Sequence, residues 1–291
     1  MTIRQLEKIF VDQLSLLYGV EEARNLAWLA IAHVCNLNRI QYLDAKQNLL
    51  PPSEEESLLT MLDELTTGKP LQYVLGETEF YGLKIKVNPS VLIPRPETEE
   101  LVDWIIKDIK SSYSDVNGVR ILDIGTGSGC IPIALEKNLP GIQAFGIDIS
   151  QTALQIAIEN SILNNSRVSF LKDDIFNIMQ AQIAARSYDL IVSNPPYVTY
   201  AEKAEMNRNV LAFEPHNALF VSDDDPLVFY KTIAIFARKH LTGNGKLFLE
   251  INEKLGSQTA NLLSQYGFED IQLRSDLHDR PRMIRANKAH N

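Results

Sequence analysis

Val119-Arg120-Ile121-Leu122-Asp123-Ile124-Gly125-Thr126-Gly127-Ser128-Gly129-Cys130 is an apolar run closed by three alternating glycines. It reads as a short buried strand entering a tight turn, after which Cys130 to Asn138 has helical spacing. Glycines there let the backbone turn sharply and let a ligand approach it closely, so the loop is a binding loop. A dinucleotide fingerprint wants its third glycine at position 130, where Cys130 stands, while Gly129 comes one residue early. The spacing therefore argues against a nicotinamide or flavin cofactor.

Downstream, the same alternation continues. Ala144-Phe145-Gly146-Ile147-Asp148-Ile149 is followed by a helical stretch from Thr152 to Leu163, then by Val168-Ser169-Phe170-Leu171-Lys172 and Tyr188-Asp189-Leu190-Ile191-Val192-Ser193-Asn194. Short apolar strands alternating with helices predict a parallel sheet covered on both faces. A helix over Pro226 to His240, a strand at Lys246 to Ile251 and a helix near Gln258 to Tyr266 extend the pattern. Two strand-like runs at 270–274 and 282–286 predict an antiparallel hairpin closing one sheet edge.

Upstream, the character changes twice. From Ile3 to about Thr67 apolar residues recur at three and four, as in Leu6, Phe10, Leu14, Leu17 and again Leu58, Leu62, Leu65, which predicts a small bundle with a helix starting near Ser53. Beyond Gly68 the alternating Leu83-Lys84-Ile85-Lys86-Val87 predicts a hairpin at roughly 72–90, and a helix begins after Pro96. The expected organisation is a helical domain over 1–71, a β-hairpin linker over 72–95 and an α/β domain over 96–291.

With 45% apolar and 22% charged residues, the 291-residue chain has the composition of a folded globular protein. Its net charge of −9 disfavours a polyphosphate partner. Two cysteines, Cys35 and Cys130, are too few for a disulfide framework or a zinc site, so no metal is expected. The start MTIRQLEKIF lacks the apolar core of a signal peptide and no run reaches membrane-spanning length. The expectation is a cytoplasmic enzyme.

A methyl donor such as S-adenosylmethionine has no phosphates but carries an amino acid end and a ribose, which suits a G-x-G-x-G turn followed by an acidic residue ending the next strand. Asp148 is that residue, and its carboxylate can accept both ribose hydroxyls. Asp174 can accept an adenine amine at the third strand end, with Ile175 covering the ring. At the fourth strand end stands Asn194-Pro195-Pro196-Tyr197, beside the first strand and across the switch point of a doubly wound sheet. An amide or aryl NH2 is a poor nucleophile because its lone pair is delocalised. The Asn194 side-chain oxygen and the Pro195 carbonyl can each accept one of its hydrogens, the two prolines withhold competing N–H groups, and Tyr197 offers a stacking face.

On these motifs the chain resembles the release-factor glutamine methyltransferases, the HemK or PrmC family. The resemblance covers nearly the whole chain: the helical N-terminal region, Gly68-Lys69-Pro70, Leu92-Ile93-Pro94-Arg95-Pro96-Glu97-Thr98-Glu99, the glycine loop, Asn194 to Tyr197 and Phe213-Glu214-Pro215. It implies a Rossmann-like class I S-adenosylmethionine-dependent methyltransferase fold. The substrate implied is the glutamine of the GGQ motif in class 1 peptide chain release factors. By resemblance, Gly125, Thr126, Gly127, Ser128, Gly129, Asp148 and Asn194 hold the cofactor and Asn194 to Tyr197 hold the amide, with Arg95, Glu97, Glu214 and His216 in roles left open. Where the family often carries Trp this chain has Ile175, which puts the packing of the adenine in question. A monomer with no direct contact to nucleic acid is expected. Asn-Pro-Pro-Tyr is also found in amino methyltransferases of nucleic acid, and glutamine methyltransferases of a ribosomal protein share the chemistry, so both stand as alternatives. A silent adaptor that keeps the fold is a third.

Overall fold

In the computed structural model, which describes residues 1–289, the chain forms two compact units. The first spans Met1–Glu77 together with Asn207–Phe213. Its helices are α1 (Ile3–Tyr18), α2 (Val20–Val34), α3 (Arg39–Asp44), α4 (Pro52–Thr66) and α5 (Leu71–Leu75). Thr2 and Gln5 close a reciprocal cap at the start of α1. Leu6, Phe10 and Leu14 of α1 meet Ala27 and Ile31 of α2 and Leu58, Leu62 and Leu65 of α4 in one buried cluster. Leu17 departs from the expected stripe and is half exposed. Tyr18, four residues after Leu14, continues the Leu6, Phe10, Leu14 row instead and faces α4, where its hydroxyl donates to the Leu65 carbonyl at 3.1 Å.

The second unit spans Thr78–Met206 and the chain from Glu214 onward. Strands β1 (Glu77–Phe80) and β2 (Leu83–Lys86) pair as the expected hairpin, preceded by the short helix α5 where sequence reading places only linker. Then follow α6 (Pro96–Ser112), β3 (Arg120–Ile124), α7 (Cys130–Asn138), β4 (Gln143–Asp148), α8 (Gln151–Leu163), β5 (Ser169–Lys172), α9 (Ala181–Ala184) and β6 (Tyr188–Ser193). After the two-residue strand β7 (Val198–Thr199), helix α10 (Arg208–Phe213) belongs to the first unit, where Asn209 bonds the Tyr18 side chain. The chain ends with β8 (Phe220–Val221), α11 (Val228–His240), β9 (Leu241–Glu250), α12 (Gly256–Gln265), β10 (Phe268–Ser275) and β11 (Pro281–Lys288).

Seven strands form one sheet in the order β10-β11-β9-β6-β3-β4-β5. Strands β9, β6, β3, β4 and β5 run parallel, while β11 is antiparallel to β9 and β10 to β11, the predicted edge hairpin. Strand β3 lies between β4 and β6, so the connections diverge on either side of it and open a crevice at the carboxyl ends. Register decides what meets there: Ile124 pairs with both Ile147 and Ser193, and Ser193 pairs with Leu249. The glycine loop, Asp148, Asn194 and Glu250 therefore emerge at neighbouring strand ends.

Candidate methyl-transfer site

A cleft of about 350 Å³ lies over these strand ends, within the size range of small-molecule sites. Its floor is the glycine loop. Gly125 and Thr126 N–H groups both donate to the Ile147 carbonyl at 2.9 Å, bending the chain over the neighbouring strand. Gly127 has φ +53° with nothing within 4 Å of where a side chain would start, so the backbone there is bare toward the cleft. Gly129 is small for another reason: a Cβ would sit 2.9 Å from the Phe170 ring.

Asp148 is fixed by the loop it faces. Its Oδ2 accepts from Gly127 N–H at 2.9 Å and its Oδ1 from Ser150 N–H at 2.8 Å. Burial raises its pKa, and the backbone donors at Ser150, Gly127 and Ile149 oppose that. The two oxygens together offer about four acceptor sites, so these donors orient the side chain without using it up. Helix α8 is capped instead by Ser150, whose hydroxyl accepts from Ala153 N–H at 3.2 Å.

Beneath the loop lies Asp123, fully buried, with neither oxygen in a hydrogen bond. Burial raises its pKa to about 7; the nearby Thr126 hydroxyl favours the charged form without making a well-formed bond, and the charge of Asp148 disfavours it. Cys130 beside the loop is buried and its thiol is pushed up to about 12, chiefly by desolvation, so it packs as a neutral group.

On the far side of β4, Asp174, Ile175 and Phe176 line the cleft. Asp173 organises this turn, its Oδ1 accepting from the N–H of Asp174 and Met179 and its Oδ2 from Gln180 N–H, each at 3.0 Å. Phe176 meets Phe229 edge to face with ring centroids 5.1 Å apart, and Phe229 lines the cleft. Ile149 lines it as well, more than half exposed. This side of the cleft is thus lined by isoleucine and phenylalanine side chains.

Opposite, Ser193 donates to the Ile124 carbonyl at 2.6 Å and clamps the two strand ends together. Asn194, Pro195 and Pro196 line the cleft, and Asn194 Nδ2 donates to Thr98 Oγ1 at 3.2 Å. Tyr197 differs from the expected stacking face. It is packed against the sheet core, does not line the cleft, and donates its hydroxyl to Glu250 Oε1 at 3.0 Å because that buried carboxylate needs donors. Its phenol is held well above the ordinary value, mainly by burial.

The residues fit S-adenosylmethionine. Among the described lining residues, carboxylates come from Asp148, Asp173 and Asp174, and the one cation is Arg95. Arg95 is already paired with Glu214 Oε1 at 2.5 Å. A cleft of this charge suits a cationic sulfonium with an amino acid end far better than a pyrophosphate.

Residues 10–76 match the PrmC N-terminal domain and residues 115–228 a methyltransferase domain. A release factor glutamine methyltransferase from Flavobacterium psychrophilum is 42% identical over 290 residues, 99% of each chain, and one from Bacteroides thetaiotaomicron is 40% identical over 94% of this chain and 95% of its own. The chain belongs to the release factor glutamine methyltransferase family. Among solved structures, a T. Thermophilus 16S rRNA N2 G1207 methyltransferase in complex with AdoMet and guanosine aligns with a TM-score of 0.53 at 18% identity, covering 73% of this chain and 49% of its own. That likeness carries the fold alone.

In this methyltransferase the structure brings Gly125 to Ser128, Asp148, Asp174, Ile175, Asn194, Pro195 and Pro196 to one cleft and leaves Tyr197 behind it. Of the residues with open roles, Arg95 lines the cleft and Glu214 is buried, accepting from Arg95 and from Ile93 N–H at 3.3 Å, whereas His216 is exposed and packs edge-on against Phe220. Sequence reading missed Phe229, Ile149, Thr98, Glu250 and Asn160. Asn160 is a fully buried amide on α8 that holds the Ser128 carbonyl at 2.9 Å and both backbone groups of Lys86, joining loop to hairpin. A polar residue on the inward face of an otherwise apolar helix is the signal that finds it.

Proposed function

We propose that this protein methylates the side-chain amide nitrogen of the glutamine in the GGQ motif of class 1 release factors, acting as a monomer in the cytoplasm without binding nucleic acid. S-adenosylmethionine, when bound, supplies an electrophilic sulfonium methyl. Asp148 and the loop from Gly125 to Gly129 hold its ribose and amino acid ends, and Asp174, Ile175, Ile149 and Phe229 hold its adenine. Asn194 and the Pro195 carbonyl accept the two amide hydrogens, which turns the nitrogen lone pair toward the cleft and favours a pyramidal nitrogen as the bond forms. Positioning and charge placement then carry the rate, and the surplus proton leaves afterwards to water.

The observation that supports this reading most is the juxtaposition of Asn194 with the glycine loop across paired strand ends, in a chain whose relatives carry the release-factor name throughout their length. Acidity adds to it, since a net charge of −9 opposes a nucleic acid substrate. Incubation with labelled S-adenosylmethionine and a release factor, or the same factor with its GGQ glutamine changed to alanine, tests the reading. Label is expected in the first alone. Equal labelling of both, or label only in added nucleic acid, refutes it.

A further inference from the structure

We infer that Glu250 and Thr98 are positioning residues that fix which way the Asn194 amide faces, turning its oxygen toward the substrate. This rests on the proposed role of Asn194 as acceptor of the glutamine NH2. The oxygen and nitrogen of an amide are alike in size, so sterics do not choose between its two orientations and the hydrogen-bond network must.

The network starts outside the cleft. Glu250 follows Leu249, which pairs with Ser193, so Glu250 and Asn194 end adjacent strands. Glu250 is 1% exposed and Thr98, in the first turn of α6, is 3% exposed. A carboxylate can only accept. Tyr197 donates to one oxygen at 3.0 Å and Thr98 to the other at 2.7 Å. Thr98 has one hydroxyl proton, and it is thereby committed, so toward Asn194 at 3.2 Å its oxygen can only accept. The group facing it must be the NH2 of Asn194. The Asn194 oxygen is left on the other side of the amide, where an NH2 of the substrate needs an acceptor.

A flipped amide would set oxygen against oxygen at Thr98 and NH2 against NH2 at the substrate. Burial pushes the Glu250 carboxyl up, against the Thr98 and Tyr197 hydroxyls and Arg282, which favour the charged form; the relay operates with Glu250 ionised, when both of its oxygens accept. Asn252 anchors the same turn by donating to the Tyr197 carbonyl at 3.0 Å.

Three variants test the relay: Thr98→Val removes the acceptor at constant shape, Thr98→Ser keeps it, and Glu250→Gln adds a donor that can release the Thr98 proton toward Asn194. With a release factor as substrate, T98V and E250Q are expected to lose kcat by roughly 10- to 100-fold, with KM and the calorimetric Kd for S-adenosylmethionine within about threefold of wild type. T98S should retain most of kcat. Independently of turnover, the side-chain NH2 protons of Asn194, identified by 15N labelling and by their loss in N194D, should resist solvent exchange in wild type and T98S and exchange faster in T98V and E250Q. Full kcat in T98V, unchanged protection in T98V, or equal loss in T98S and T98V accompanied by weaker cofactor binding overturns the inference. Wild type that leaves the release factor unmethylated refutes the proposed function instead, and the exchange measurement still decides the relay.

Discussion

Asp123 and Asp148 lie under and beside one glycine loop, and burial moves both carboxyls upward. Asp123 carries the larger consequence because it is fully buried without a hydrogen bond. Its folded-state pKa, about 7, lies above its ordinary 3.8, so the fold favours the protonated acid. Its stabilising contribution is therefore complete below the ordinary value and disappears as pH rises through about 7. Urea unfolding of the cofactor-free protein should show Asp123→Asn gaining on wild type between pH 4 and 8, by an amount on the order of 4 kcal/mol. Parallel curves would contradict this assignment. Asn194→Ala should lose roughly 10²- to 10³-fold in kcat while S-adenosylmethionine binding changes only modestly, because a positioned acceptor acts on the reacting group. Phe229→Ala should raise the calorimetric Kd for S-adenosylmethionine by about tenfold if its ring serves as the adenine cover, as base–aromatic stacking contributes about 1–3 kcal/mol; an unchanged Kd removes Phe229 from that role. Asp148 and Asn194 were legible in the sequence because each ends an apolar strand. Glu250 and Thr98 were not, since strand register sets the one beside the strand of Asn194 and the packing of α6 brings the other to both.

At the scale of elements, the segment from Val91 to α6 and the loop after α10 are joined by one ion pair. Arg95 and Ile93 N–H together satisfy Glu214, whose side chain is 1% exposed. Removing Arg95 leaves a buried carboxylate with a single donor, whereas Arg95 itself is about one-third exposed and pays less to be there. Arg95→Ala is therefore expected to lower unfolding stability by about 2 kcal/mol, read from the urea midpoint, and a midpoint within error of wild type would contradict the pair's importance. Strands β3, β4 and β6 were readable because central strands are apolar runs bounded by turn residues. Helix α5 was not: five residues after Pro70 are too short for periodicity to speak, and only packing in the helical unit makes them a turn of helix. Helix α10 shows the same limit, since contacts with residues some 190 positions away in the chain settle which unit it joins.

For the whole molecule, alternation of strand and helix already specified the sheet and its switch point, and the strand order places the glycine loop beside Asn194. What the sequence could not specify was the lining of the crevice: which side chains stand behind Asn194, and which apolar side chains gather beside Ile175. No helix among the described residues is long and apolar enough to cross a membrane, and the balance of charge is acidic. That acidic balance opposes a polyphosphate partner. The central claim is that one methyl reaches one amide nitrogen. Fragmentation mass spectrometry of a release factor incubated with the enzyme and S-adenosylmethionine should place a single added methyl on the side chain of the GGQ glutamine, and no more than a trace of it in the same time when the enzyme carries Asn194→Ala. A methyl on any other residue, or an unmodified factor after incubation with active wild type, would contradict the account.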